Sequence, residues 1–229
     1  MKLLATVCCL ALLLALPAEL WAAGTPSSQE EKPDHHTRPR EEEMLITDLG
    51  TLVLEDFPAE GYILDLGGGG EGVIGQLKGR EAISIDISKR ELEEAPGDAL
   101  KIVMDATDLK FLDGTFGTTA SFFTLMYIPQ DLHPKVFAEA FRVMKPGGVF
   151  RIWDAVFDTA PEGKKIAVVR LSIQLPHTLI GTGYGTRFPP ERHDLDYYRR
   201  LARAAGFEES TARDESDWFY LELKKPAVN

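Results

Sequence analysis

Cysteine is almost missing from this chain. Cys8 and Cys9 are the only two in 229 residues, and both lie in the N-terminal apolar stretch. If that stretch is removed, what remains has no thiol. That excludes a disulfide framework, a thiolate nucleophile and zinc held by cysteine. A cationic excess is missing too: the net charge is −11. Without a basic footprint, nucleic acid is not an expected partner, whereas a small cationic ligand remains admissible. Internal repeats are also absent. The length, with 44% hydrophobic and 27% charged residues, suits one α/β domain with a sizeable core.

The first residues read as targeting rather than fold. Lys2 precedes an apolar run over residues 3–16, then come Pro17 and Ala22-Ala23-Gly24. This is the pattern of a cleaved secretory signal over residues 1–24. An uncleaved membrane anchor is the alternative, weakened by Pro17 and Glu19. The expected location is therefore secreted or periplasmic, or membrane-anchored through residues 1–24. Residues 25–43, rich in Pro, Ser, Glu and charge, are expected to form a disordered tether. His35-His36 lies there and reads as a solvated pair, so no metal site is expected.

The folded domain is expected over residues 44–225. Leu45, Leu49 and Val53 repeat at i, i+4 and predict a leading amphipathic helix. Alternating strand and helix patterns follow. Strands are predicted over residues 62–66, 82–86, 102–105, 118–123 and 149–153, and helices after the glycine run, after Ser88 and over residues 134–144. A helix over residues 194–205, closed by Gly206, precedes a hairpin of strands 208–212 and 218–223. The fold class is a Rossmann-like, doubly wound, mostly parallel seven-stranded α/β sheet with an antiparallel C-terminal strand. Residues 154–192 are long for a connection and carry Gly181-Thr182-Gly183-Tyr184-Gly185. They are expected to cover the substrate crevice, with a helix over residues 165–175.

The chemistry concentrates where strands end. Ile63-Leu64-Asp65-Leu66 runs straight into Gly67-Gly68-Gly69-Gly70-Glu71-Gly72. Four glycines free the turn of Cβ atoms, so its backbone can approach a ligand closely. Asp65, Asp86 and Asp105 each close a predicted strand, and in a doubly wound sheet such ends line one crevice. Asp86 lies 21 positions after Asp65, a spacing that suits a carboxylate accepting the hydroxyls of a ribose, and Asp105 is placed to accept an adenine amine.

With these motifs and Met144-Lys145-Pro146-Gly147-Gly148, the chain resembles the class I S-adenosylmethionine-dependent methyltransferases over residues 60–224. The resemblance implies S-adenosyl-L-methionine as cofactor and methyl transfer to a small-molecule acceptor. It also implies that Asp65, Gly67, Gly68 and Gly69 line the methionine end. Asp86 would hold the ribose, with Ile87 on the adenine, and Asp105 and Ala106 would meet the adenine edge. Phe123 and Thr124 would border the sulfonium. One departure is Glu71, where the family often has a third glycine; its side chain is expected to face solvent at the helix start.

Gly67-x-Gly69-x-x-Gly72 also satisfies the dinucleotide fingerprint, so an NAD-dependent oxidoreductase competes. Charge argues against it: Asp65 and Glu71 flank the turn on which a pyrophosphate would rest. An exported, non-catalytic binding module for S-adenosylmethionine or a nucleoside is the other alternative. If a base is needed, the candidates are Tyr127, His133 and Asp154, followed by His177, Tyr184 and His193; each also has an ordinary structural explanation as pocket wall or cap.

Overall fold

The computed structural model describes residues 40–227. The signal or anchor, both cysteines and His35-His36 lie outside the described residues. The tether was expected to run to residue 43, but its end belongs to the fold. Glu41–Glu43 is a 3-10 turn, the Lys165 N–H donates to the Glu43 carbonyl at 2.7 Å, and the Lys165 ammonium pairs with the Glu43 carboxylate. Among the described residues no helix is long and apolar enough to cross a membrane.

Among the described residues, ten strands form two sheets. They are β1 Met44–Val53, β2 Ile63–Leu66, β3 Ala82–Asp86, β4 Leu100–Val103, β5 Phe116–Phe122, β6 Met144–Ala155, β7 Ile166–Gln174, β8 Leu179–Arg187, β9 Glu208–Asp214 and β10 Trp218–Lys224. The large sheet has the order β4-β3-β2-β5-β6-β10-β9. Its strands β4, β3, β2, β5 and β6 run parallel, and β10 is antiparallel to both β6 and β9. Among the described residues four α-helices lie between these strands: α1 Val73–Lys78, α2 Lys89–Glu94, α3 His133–Val143 and α4 Leu195–Ala205.

Strand alternation sorts the core into two layers. Leu64, Leu66, Phe150 and Ile152 face one way and pack with Val136, Phe137 and Ala140 of α3 and Tyr198 and Ala202 of α4. Ile63, Ala120, Phe122, Trp153 and Ala155 face the other way, toward Val73 and Ile74 of α1 and toward the second sheet. That sheet has the order β1-β7-β8, with β1 parallel and β8 antiparallel to β7. Ala167, Val169, Leu171 and Ile173 of β7 present its inner face to the large sheet.

Two predicted helices are strands. Residues 45–53 form β1: a spacing of four fits period 2 as well as period 3.6, so Leu45, Leu49 and Val53 could not discriminate. The pairing of β1 slips between Asp48 and Thr51, around Gly50 at φ +69. Residues 165–175 form β7, where burial alternates from Ala167 to Ile173 and Val and Ile recur, both strand signals. The predicted cover over residues 154–192 is thus mostly a second sheet layered on the first, and only part of it reaches the crevice. Smaller differences lie at element ends. β4 stops at Val103, so Asp105 sits beyond the strand. Pro146-Gly147-Gly148 lies within β6 as an irregularity, where Phe116 pairs with Met144 but Thr118 with Val149.

The boundaries of α4 follow its caps. The Asp194 carboxylate accepts the Tyr197 N–H at 2.9 Å, and Gly206 closes the helix at φ +99, packed against the Phe141 ring. Asp194→Ala is expected to destabilise the chain by about 1 kcal/mol, read as a lower urea midpoint with an unchanged slope.

Candidate functional site

At the C-terminal ends of β2, β3, β4 and β5 lies a cavity of about 260 Å³. Its floor is the turn between β2 and α1. Gly67 and Gly68 both donate their N–H to the Ile85 carbonyl, at 2.8 and 3.0 Å, and Gly70 donates to the Glu91 carbonyl at 2.9 Å. The turn is pressed against its neighbours so closely that no side chain fits. A Cβ on Gly67, which has φ +75, would lie 2.1 Å from Thr124 Cγ2. One on Gly68 would lie 2.2 Å from Asp65 Oδ2, and one on Gly69 would lie 2.6 Å from Glu91 Cβ. These separations lie far inside van der Waals contact, so glycine is dictated at all three positions.

Asp65 sits beneath this turn, 2% exposed, and its Oδ2 accepts the Ser84 hydroxyl at 2.7 Å. Burial pushes its carboxyl up to about 7; the Ser84 bond opposes the shift and the Asp86 charge adds to it. Asp86 is half-buried at the end of β3, and its Oδ1 accepts the Ser88 N–H at 2.8 Å. Burial raises its carboxyl too, against the backbone N–H groups that hold the charged form. Asp105 accepts the Thr107 N–H at 2.8 Å. Ile87 is a large apolar side chain left 70% exposed beside Asp86. Phe123 holds φ +50, a strained value for a bulky residue, and its ring stacks on Tyr184 with centroids 5.4 Å apart.

The structure brings all ten sequence-predicted cofactor residues to this one cavity: Asp65, Gly67, Gly68, Gly69, Asp86, Ile87, Asp105, Ala106, Phe123 and Thr124. Tyr127 and Tyr184 line it as well. The other base candidates do not. Asp154 is wholly buried with the side-chain parity of Phe150 and Ile152, toward α3 and α4. Its carboxylate caps the 3-10 turn Leu125–Tyr127, accepting the Met126 N–H at 3.3 Å, and burial pushes it up to about 7. His133 begins α3 and is fully buried. Its Nε2 lies 3.0 Å from the Leu125 carbonyl and its Nδ1 2.8 Å from the Tyr197 hydroxyl. The carbonyl can only accept, so Nε2 carries the proton and Nδ1 accepts from Tyr197. His193 stacks on Tyr197, its ring held down to about 4 by burial and by His133. His177 is exposed between β7 and β8.

Glu71 also departs from expectation. Rather than facing solvent, its carboxylate accepts the Thr182 hydroxyl and bonds Tyr184, so β8 is tied onto the glycine turn. Burial, followed by the Glu71 charge, pushes the Tyr184 phenol well above its ordinary value. Sequence reasoning missed Glu91, a 6% exposed carboxylate of the lining. The Ser88-x-x-Glu91 spacing was its signal: the Ser88 hydroxyl accepts the Glu91 N–H at 3.3 Å and starts α2. Asp65, Glu71, Asp86, Glu91 and Asp105 all line the cavity, and among the described residues no Lys, Arg or His does.

Residues 64–152 match the family described as "Methyltransferase domain". Phosphoethanolamine N-methyltransferase 3 of Arabidopsis thaliana is 29% identical over 173 residues, 71% of this chain and 32% of that protein. The chain thus spans about a third of the length of the curated relatives it matches. A S-adenosylmethionine-dependent methyltransferase from Methanosarcina mazei shares the fold at a TM-score of 0.53 and 18% identity, over 75% of this chain and 95% of the other. Phosphoethanolamine N-methyltransferase 2 of Haemonchus contortus, solved with phosphomonomethylethanolamine and S-adenosylhomocysteine, does so at a TM-score of 0.53 and 14% identity, over 75% of this chain and 50% of the other.

The raised carboxyl of Asp65 has a consequence for stability. The folded chain binds this proton more tightly than the unfolded chain. The contribution is full below about pH 4 and is lost as pH rises through about 7. In thermal unfolding of the ligand-free chain, Asp65→Asn is expected to gain on wild type between pH 5 and pH 8. An unchanged difference across that range would contradict the assignment.

Proposed function

We propose that this chain, which belongs to the class I S-adenosylmethionine-dependent methyltransferases, transfers a methyl group to a small-molecule acceptor in the cavity above the glycine turn. The observation that carries the reading is the lining: carboxylates at successive strand ends around a turn stripped of side chains, with no cation among them. When bound, S-adenosylmethionine supplies an electrophilic methyl on a positively charged sulfur. Asp86 is suited to accept the ribose hydroxyls, and Ile87 to cover one face of the adenine. Asp105 and Ala106 are suited to meet the adenine edge, and Asp65, Gly67, Gly68 and Gly69 to enclose the methionine end. Phe123 and Thr124 stand at the end of β5, between that position and the acceptor.

Acids are suited to a sulfonium and an ammonium, and unsuited to the pyrophosphate of NAD. The likeness to phosphoethanolamine N-methyltransferases supports a small acceptor carrying an amine nitrogen. Catalysis by this chain consists largely of holding the acceptor in line and excluding water, because the transfer leaves a neutral thioether and needs no metal. Of the candidate groups, only Tyr127 and Tyr184 line the cavity, and neither is a strong base in its protonated form.

A second reading has its own support. The N-terminal apolar run favours an exported or anchored domain, whereas the cofactor is made inside cells. An exported S-adenosylmethionine-binding module without turnover fits that placement. Release of S-adenosylhomocysteine with an acceptor distinguishes the two.

In calorimetry, S-adenosylmethionine and S-adenosylhomocysteine are expected to bind and NAD is not. Asp86→Ala is expected to weaken both by about 1.5–3 kcal/mol, roughly ten- to a hundredfold, as loss of hydrogen bonds to a charged group requires. Unchanged affinity in that variant would remove the ribose assignment.

A further inference from the structure

Two features of the cavity remain once the adenosine and methionine ends are assigned. The first is Glu71. Its carboxylate reaches the lining where the family often has a glycine, and its partners are the Thr182 and Tyr184 hydroxyls, both uncharged. Two neutral donors orient the carboxylate and leave its charge uncompensated. The second is the wall around it. Phe123 and Tyr184 stack with an interplanar angle of 23°, and Tyr127, Ile128, Pro129 and Leu132 complete that side. A carboxylate among aromatic rings is a recognition environment for an organic cation. The charge attracts it, the ring faces add cation–π attraction, and the apolar surroundings strengthen both.

The same lining is unsuited to an anion. Recognition of a phosphate ester calls for a guanidinium fork, an ammonium or a helix N-terminus free of acids. No Lys, Arg or His among the described residues lines this cavity; Lys89 and Arg187 are exposed outside it, and Arg90, likewise exposed outside the lining, pairs with the carboxylate of Glu91 at 3.2 Å. A phosphate dianion would enter a space whose charged groups all share its sign, which penalises it directly.

We propose that the acceptor is a phosphate-free amine, bound as its ammonium between Glu71 and the rings of Phe123, Tyr127 and Tyr184. The ammonium gives one proton to the Glu71 carboxylate, and the lone pair so freed forms the N–C bond as the S–CH3 bond breaks and the neutral thioether leaves. This separates the chain from relatives named for phosphoethanolamine, and it rests on the methyl-transfer reading above. Glu71 is the specificity-determining residue. It also couples the pocket to the second sheet, because the groups that hold it come from β8.

The test is calorimetry on the full chain saturated with S-adenosylhomocysteine. The probes are ethanolamine, putrescine and phenethylamine, against phosphoethanolamine and the uncharged 2-phenylethanol. At least one amine is expected to bind tenfold or more tightly than both phosphoethanolamine and the alcohol. Glu71→Gln, which keeps the hydrogen-bonding shape and removes the charge, is expected to weaken that amine about tenfold beyond any change in S-adenosylhomocysteine affinity. Phosphoethanolamine binding as tightly as every amine would overturn the proposal, and so would equal losses for amine and alcohol in Glu71→Gln. If that variant does not fold, the wild-type ranking of amine, alcohol and phosphate ester still decides. Failure of the wild-type chain to bind S-adenosylhomocysteine at all would overturn the methyl-transfer reading itself and is measured first.

Discussion

The constraint on which the rest depends is contact between a bare backbone turn and three strand ends. Residues 67–69 lie so near Thr124, Asp65 with Ser84, and Glu91 with Asp86 that any Cβ there would collide. That closeness lets one short turn be hydrogen-bonded to the Ile85 carbonyl of β3 while it touches the residue that follows Phe123. The opposing wall has its own unusual geometry, since Phe123 takes a positive φ that only glycine adopts without strain. Strain of this kind persists where surroundings over-determine it, and here the stack with Tyr184 and the burial of the ring hold it in place.

Charge is the second consequence of that packing. By pressing the turn onto Asp65 the fold takes a carboxyl out of water without giving it a cation, and its proton affinity rises accordingly. Asp86 is raised for the same reason. A cation seated above the turn would favour the charged forms, so part of its binding energy would arise from relief of desolvation that folding imposes. An anion would meet the opposite balance. The desolvated carboxylates that cost the fold stability as pH rises are thus the same groups that favour a cation over an anion at this cavity.

The large sheet was legible because its signals admit one interpretation. An apolar run ending in an acid, then glycines, has no helical equivalent, and the predicted strand over residues 82–86 matches β3 at both ends. The second sheet was hidden for particular reasons. In β1 the i, i+4 spacing serves both periods. In β7 the buried positions from Ala167 to Ile173 alternate, but the intervening Val168 is also apolar, so the residue types alone do not mark one face. The cavity residues were legible because position along the sheet edge is set by strand order. Of the base candidates Tyr127 and Tyr184 reach the cavity, whereas Asp154 and His133 do not, because side-chain direction decides them. Asp154 shares its parity with Phe150 and Ile152, and a single residue of register sends it to α3 and α4 rather than to the cavity.

That misdirected group still bears on the site, by a different route. The 3-10 turn Leu125–Tyr127 carries the aromatic wall of the cavity at Tyr127, and its backbone is held from behind: Asp154 accepts the Met126 N–H, and His133 donates to the Leu125 carbonyl. His133 is fixed in that tautomer by Tyr197 of α4, and Thr186 of β8 donates to the Met126 carbonyl at 3.0 Å from the other side. Buried polar groups this well satisfied rigidify the segment they hold. The wall is therefore gripped by α3, α4, β6 and β8 at once, while the glycine turn is held by β3, α2 and the end of β5. The cavity lies between two separately anchored backbone segments, and β8 contacts both through Thr182 and Thr186. A change in β8 would therefore reach the glycine turn and the wall at Tyr127 together, which makes the second sheet part of the cavity rather than an appendage to the fold.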